Sequence, residues 1–240
     1  MSNPMEQFEV KSIVPINLAG HDISYTNSSM FMTLTVVICV CLFMFCLRKR
    51  TIVPGKAQAF AEMVYDFVYS LVKDNIGPEG LKYFSFIFSI FLFVAFGNVL
   101  GLFPYAFTFT SHVAAVGALS LLGLLFNMAV GIKKKKWGYI RTIMPNGIPW
   151  VLAPLVMPIE TISLLSKPFS LTVRLVANMT VGHIMLKVMA GFIVALGALG
   201  IVPLLFDACI IVFELFIALL QAFIYTILCC IYLGDAIHSH

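Results

Sequence analysis

Five stretches of this chain, residues 30–47, 83–107, 112–132, 151–196 and 203–237, are apolar over lengths that match or exceed the thickness of a bilayer. About 20 apolar residues span the hydrocarbon core as a helix, so the first three stretches are expected as conventional transmembrane helices. Composition points the same way: 61% of the residues are hydrophobic and 11% charged, where a soluble domain carries about a quarter charged residues. The expected class is an all-α integral membrane fold, with residues 1–240 as one membrane domain.

The last two stretches are too long for simple crossings. At about 1.5 Å per residue, the first of them would reach roughly 65 Å as one helix, about twice the hydrocarbon thickness. It must be steeply tilted or broken, and Pro154, Pro158 and Pro168 are candidate breaks or kinks. Gly197, Gly200 and Pro203 read as a turn between two antiparallel halves. The pair 151–196 and 203–237 is therefore expected as a long tilted helical hairpin embedded in the membrane.

Charge sets the orientation. Arg48, Lys49, Arg50 and Lys56 follow the first span, and Lys133, Lys134, Lys135 and Lys136 follow the third. By the positive-inside rule both clusters are cytoplasmic. The segment 1–29 then lies outside, residues 133–150 form a cytoplasmic basic loop flanked by Trp137 and Trp150, and the C-terminus returns to the cytoplasm. The first apolar run begins too late for an ordinary cleaved signal peptide, so the mature chain is expected to start near Met1. A net charge of +4 gathered in two clusters argues against nucleic acid as a partner. Between the first two spans, residues 56–76 carry Phe60, Met63, Val64, Phe67, Leu71 and Val72 at helical spacing, with Glu62, Asp66, Lys73 and Asp74 off that stripe. The pattern fits an amphipathic helix lying on the membrane surface, or one packed on a partner subunit. The cysteines lie in hydrophobic runs without CxxC spacing, so they read as small apolar packing residues rather than metal ligands.

Against this background the buried polar residues stand out. Arg174 sits far from either end of its segment, where snorkelling to the interface is difficult. A central arginine costs about 2.5–3.5 kcal/mol on insertion scales, so it needs a partner or a water-filled cavity. On a helical wheel Glu160, Ser163, Lys167, Ser170, Arg174 and Asn178 share an arc of roughly 80°. That stripe fits an aqueous path, or packing against a polar neighbour. Asp207, Glu214 and Gln221 are spaced by seven and form a second polar seam. If the two segments pair antiparallel about a turn near residue 198, positions summing to about 396 face each other. Arg174 then faces Gln221, His183 faces Glu214, and Glu160 approaches Asp235. An imidazole opposite a carboxylate makes a titratable pair suited to relaying protons. Asn98 lies in Gly97-Asn98-Val99-Leu100-Gly101, a small-xxx-small spacing that permits close helix approach.

The segment from Glu160 to His183, with its Ser-Lys-Pro-Phe-Ser-Leu-Thr-Val-Arg-Leu-Val-Ala-Asn-Met core, resembles the signature of the F-type ATP synthase a subunits. Leu-Leu-Gln-Ala-Phe-Ile-Tyr at 219–225 resembles that family's second signature, and Gly-Asn-Val-Leu-Gly-Leu-Phe-Pro-Tyr at 97–105 extends the likeness over most of the chain. The resemblance implies a stator beside a rotating c-subunit ring, held by peripheral-stalk b subunits within the rest of the synthase. Arg174 would be the essential cation facing the ring carboxylate, with Asn178 and Gln221 beside it. His183 and Glu214 would belong to the half-channel open to the outside, and Glu160 to the one open to the cytoplasm. Ser163, Ser170, Asp207 and Asp235 join them as expected proton-path residues.

Many bacterial relatives carry the carboxylate and histidine in the reverse order, so the present order resembles mitochondrial and alphaproteobacterial members. The implied location is a bacterial plasma membrane, or the mitochondrial inner membrane. No GxxxxGK[ST] loop occurs, so nucleotide chemistry is expected on other chains, and no cofactor or metal is expected here. A secondary transporter with a midplane site and a purely structural assembly subunit are the competing classes.

Overall fold

The computed structural model describes residues 10, 12–15, 17–18, 21–22, 24–48, 51–103, 106–135 and 153–238. Six α-helices carry most of this: α1 (Asn27–Cys46), α2 (Lys56–Ile76), α3 (Phe84–Gly101), α4 (Val113–Lys135), α5 (Ala153–Leu196) and α6 (Ile201–His238). All but α2 include stretches long and apolar enough to cross a membrane. The all-α expectation needs one correction, because the N-terminal segment forms two small antiparallel strand pairs. β1 (Ser12–Val14) pairs with β4 (Tyr25–Thr26), and β2 (Asn17–Leu18) with β3 (His21–Asp22). This segment is partly polar and lacks the apolar helical periodicity of the spans, so local strand pairing satisfies its backbone instead.

Thr26 ends the strand and caps α1, its hydroxyl accepting from the Ser29 backbone N–H at 3.3 Å. Only Thr35 and Cys46 of α1 are buried, so this helix is peripheral. Gly77, at φ +80°, ends α2 in a conformation that suits glycine. A 3-10 turn, Pro78–Tyr83, then leads into α3.

Helix α3 stops at Gly101, six residues short of the predicted end of its span. Pro104 follows, and a proline both lacks an N–H and disfavours helix in the residue before it. The connection onward includes a 3-10 turn at Phe109–Ser111 whose residues are buried. The basic loop is outside the described residues from position 136, Trp137 and Trp150 included.

Helix α5 runs its whole length as one helix, as the unbroken alternative requires. Pro158 and Pro168 lie inside it, and the helix continues through both. A proline removes one helical hydrogen bond, and packing along the rest of the helix holds the run together. The 3-10 turn Gly197–Gly200, with Gly197 at φ +54°, joins α5 to α6. Pro203 falls in the first turn of α6, where its missing N–H has no intrahelical acceptor.

Between helices in lipid there is little hydrophobic driving force, so close packing and interhelical hydrogen bonds must hold the bundle. The central cluster joins Ile90 and Val94 of α3, Val116 of α4, Leu171, Leu175 and Met179 of α5, and Ala218, Ala222 and Tyr225 of α6. Ala218 and Ala222 are fully buried, and their small side chains let neighbouring helices come close. Polar bonds cross the interfaces of this cluster. Ser120 and Thr172 share a hydrogen at 2.6 Å, Tyr225 donates to the Leu119 carbonyl at 2.8 Å, and Asn98 donates to the Ala218 carbonyl at 3.1 Å.

A second cluster packs Val68, Val72 and Ile76 of α2 against Ile87, Val130, Cys230, Leu233 and Ile237. The buried row of α2 is therefore Ala61, Val68, Val72 and Ile76, while Phe60 and Met63 are exposed and Phe67, partly exposed, rests its ring on Phe91 and Phe223. The predicted stripe ran between these two rows. Lys134 at the end of α4 forms an ion pair with Glu79, fastening the 3-10 turn after α2 to the third span.

Candidate functional site

Arg174 lies on the exposed face of α5, while the neighbouring turns place Leu171, Leu175 and Met179 inward against α4 and α6. No hydrogen bond or ion pair engages its guanidinium among the described residues. Asn178, one turn on, is half-buried, and so is Ser163, whereas Ser170 is exposed beside Arg174. Lys167 of the same stripe sits 4.4 Å from the ring centroid of Tyr232 on α6, a cation–π contact. Glu160 falls in α5, but its side chain lies outside the described residues; Asp235, its expected partner, is exposed.

The seam on α6 points inward. Glu214 and Gln221 are each 4% exposed, and Asp207 is half-buried. Glu214 abuts Gly182 so closely that a Cβ there would overlap its carboxylate. Further along, Lys167, Pro168 and Leu171 of α5 line one small cavity with Tyr225, Leu228 and Tyr232 of α6. Gln221 does not accept a bond from Arg174, because its Oε1 has no hydrogen-bond partner.

His183 is buried, and its Nε2 lies 3.0 Å from the hydroxyl of Thr108. It makes no hydrogen bond to Glu214, since neither carboxylate oxygen of Glu214 has a partner. Glu214 packs at the position next to His183, while the imidazole is hydrogen-bonded from the α3–α4 connection.

Thr110 Oγ1, His112 Nε2 and Asp207 Oδ1 are likewise buried without partners. Orphaned polar atoms in an apolar interior cost free energy unless water reaches them. These orphaned atoms fall in two places, the Thr108–His112 turn beside His183 and the Asp207–Glu214 seam of α6 at Gly182.

The residues 108–111 escaped the sequence reading, which also placed His112 merely at the start of the third span. Their signal was the polar density of Thr-Phe-Thr-Ser-His between two spans. The small cavity that Lys167, Pro168 and Tyr232 line, of about 30 Å³, lies between α4, α5 and α6 and includes Asn127, whose Oδ1 is also unpaired. It has room for about one water. Ser120 and Asn127, seven apart on α4, were the missed signal there.

The profile of the family described as "ATP synthase A chain" matches residues 29–234. The chain belongs to this family. Among curated relatives, the protein named ATP synthase subunit a in Rhodospirillum rubrum is 50% identical over 241 aligned residues, covering 100% of both chains. The protein of that name in Paramagnetospirillum magneticum is 48% identical, again covering 100% of each. That of Mesorhizobium japonicum is 44% identical over 99% of this chain and 98% of its own. Family membership thus spans the arginine motif, the glutamine motif and the α3–α4 connection together.

Proposed function

We propose that the chain is the proton-translocating stator of an ATP synthase membrane sector, with Arg174 facing the carboxylates of a rotating c-ring and two offset aqueous half-channels leading to it. What supports this reading most directly is the placement of Arg174: exposed on the outer face of a long apolar helix, with no acid of its own chain engaged among the described residues. A cation at that depth needs a counter-charge from outside the chain. A guanidinium keeps its charge at any relevant pH and donates hydrogen bonds without giving up its proton. It attracts a ring carboxylate, favours loss of that group's proton, and blocks direct leakage between the two paths.

The outer path runs through the cluster of Thr108, His112, His183, Asp207 and Glu214, and the cytoplasmic one through Glu160, Ser163 and Asp235. Asn178 and Gln221 flank the arginine, and Ser170 lies beside it. Each proton crossing is driven by about 2.3 kcal/mol per 100 mV, so several must be collected for each ATP made on other subunits. The chain would sit in a bacterial plasma membrane with its N-terminus outside and C-terminus in the cytoplasm, bound to the c-ring and the peripheral-stalk b subunits.

Replacing Arg174 tests the reading in the assembled synthase. Arg174→Ala is expected to assemble yet lose coupled proton transport. Arg174→Lys should lose coupling too, because lysine lacks the planar fork and can deprotonate when desolvated. Normal ATP-driven proton pumping by the lysine variant would overturn the mechanism. Loss of assembly in both variants would favour a structural role instead.

A further inference from the structure

We infer that the elbow joining α1 to α2 is a lipid anchor, which seats Ile52 and Val53 among the headgroups and first methylenes of anionic phospholipid, with Arg48 and Lys56 on the phosphates. The inference does not depend on the stator reading. Helix α1 has 20 residues, about 30 Å of helix, which matches the hydrocarbon core. Its end at Cys46 therefore marks the edge of that core, and the elbow at 51–55 lies in the headgroup layer beyond it. There Ile52 is fully exposed and Val53 is 82% exposed. In the sequence Arg48, Lys49, Arg50 and Lys56 flank the pair on both sides, and no Asp or Glu lies between Asp22 and Glu62.

The elbow holds its shape without help from either apolar side chain. Gln58, buried in the first turn of α2, grips the Thr51 backbone twice: its Oε1 accepts the Thr51 N–H at 3.2 Å, and its Nε2 donates to the Thr51 carbonyl at 3.1 Å. The same Nε2 donates to Glu62 at 2.7 Å, and the Thr51 hydroxyl donates to the Val53 carbonyl at 2.7 Å. These bonds satisfy the turn from within, so an apolar tip serves contact outside the chain. Three observations choose lipid over protein. Two aliphatic side chains fall far short of the roughly 1,000 Å² that a stable protein interface buries. The flanking cations match phosphate, and an anionic membrane surface favours each of them about fivefold. The exposed row of α1 also runs up to the elbow through Met44 and Phe45, 69% and 71% exposed, so the lipid contact of the span continues onto the tip.

The test uses the intact synthase with its native cysteines replaced and a nitroxide attached at Val53→Cys, in vesicles of phosphatidylcholine with or without phosphatidylglycerol. Power-saturation EPR reads how often the label meets oxygen, which concentrates in the bilayer, and a neutral nickel chelate, which stays in water. The oxygen-to-nickel ratio should be at least about threefold higher with phosphatidylglycerol present. Arg48→Gln together with Lys56→Gln should bring the two compositions to the same ratio, and a difference that survives both changes would overturn the role given to these cations. Frequent nickel collisions in both compositions would put the tip in water and overturn the inference. Rare collisions with both probes would mean that a protein subunit covers the elbow, and would overturn it equally. A ratio indifferent to composition in the otherwise unaltered chain would remove the anionic lipid, and the inference with it.

Discussion

Glu214 of α6 packs directly against Gly182 of α5. A methyl group at position 182 would overlap the Glu214 carboxylate, and the flexible acid would have to swing aside. Gly182→Ala is therefore expected to assemble normally while lowering proton flux about tenfold, the cost of misplacing a proton-relay group by a fraction of its reach. Flux per assembled complex in reconstituted vesicles checks it. Asn98→Leu should act on stability instead, because Asn98 donates to the Ala218 carbonyl from a fully buried position. A loss of about 0.6–1.7 kcal/mol is expected, read from detergent-dependent unfolding of the complex.

At this scale the sequence disclosed the charged members of the site and concealed the neutral ones. Arg174, Glu214 and Asp207 were visible because an ionisable group in an apolar run has few innocent explanations. Thr108 and Ser111 were not, since hydroxyl residues are ordinary in any turn and only their three-dimensional partners give them meaning. The hydrogen-bond partner of His183 was hidden for the same reason: a helical register aligns two helices, and Glu214 does pack at Gly182 beside His183, but it cannot see that Thr108 of a connecting segment bonds the imidazole.

At the scale of elements, periodicity located the helices well and their rotations less well. The row of α2 that packs is Ala61, Val68, Val72 and Ile76, offset from the predicted stripe, because a helix between protein and lipid is apolar on both rows and the pattern cannot separate them. Pro158 and Pro168 do not break α5, a tolerance found in bilayer-embedded helices, and tilt is the alternative that the length of the segment left open.

Two interfaces can be weighed directly. The Ser120–Thr172 contact ties α4 to α5 at 2.6 Å, and a double-mutant cycle with Ser120→Ala and Thr172→Val should return a coupling of about 0.6 kcal/mol. Where α2 meets α6, a Cβ at Gly234 would stand 2.9 Å from the Asn75 carbonyl oxygen. The obstacle there is backbone, which yields less readily than a side chain. Gly234→Val should destabilise that contact by about 1–3 kcal/mol, seen as faster proteolysis of α2 in the complex.

For the molecule as a whole, the division between inner and outer faces of α5 makes a distinct claim. Val173 and Val181 are exposed near Arg174, whereas Leu171 and Leu175 are buried. In a cysteine-depleted synthase, cysteines at 173 and 181 should cross-link to ring subunits and those at 171 and 175 should not; the opposite pattern would put the rotor elsewhere.

The peripheral helix α1 obeys a different rule. Thr35 and Cys46 are its buried residues, and Phe31 and Phe43 set their rings against Phe107 and Phe88; the exposed row, Leu34, Val36, Val37, Val40, Met44 and Phe45, answers to the bilayer's thickness and oiliness instead. The amino-acid order of that row is accordingly free to drift. Shuffling those six residues among themselves should leave insertion, growth on respiratory substrates and ATP yield unchanged.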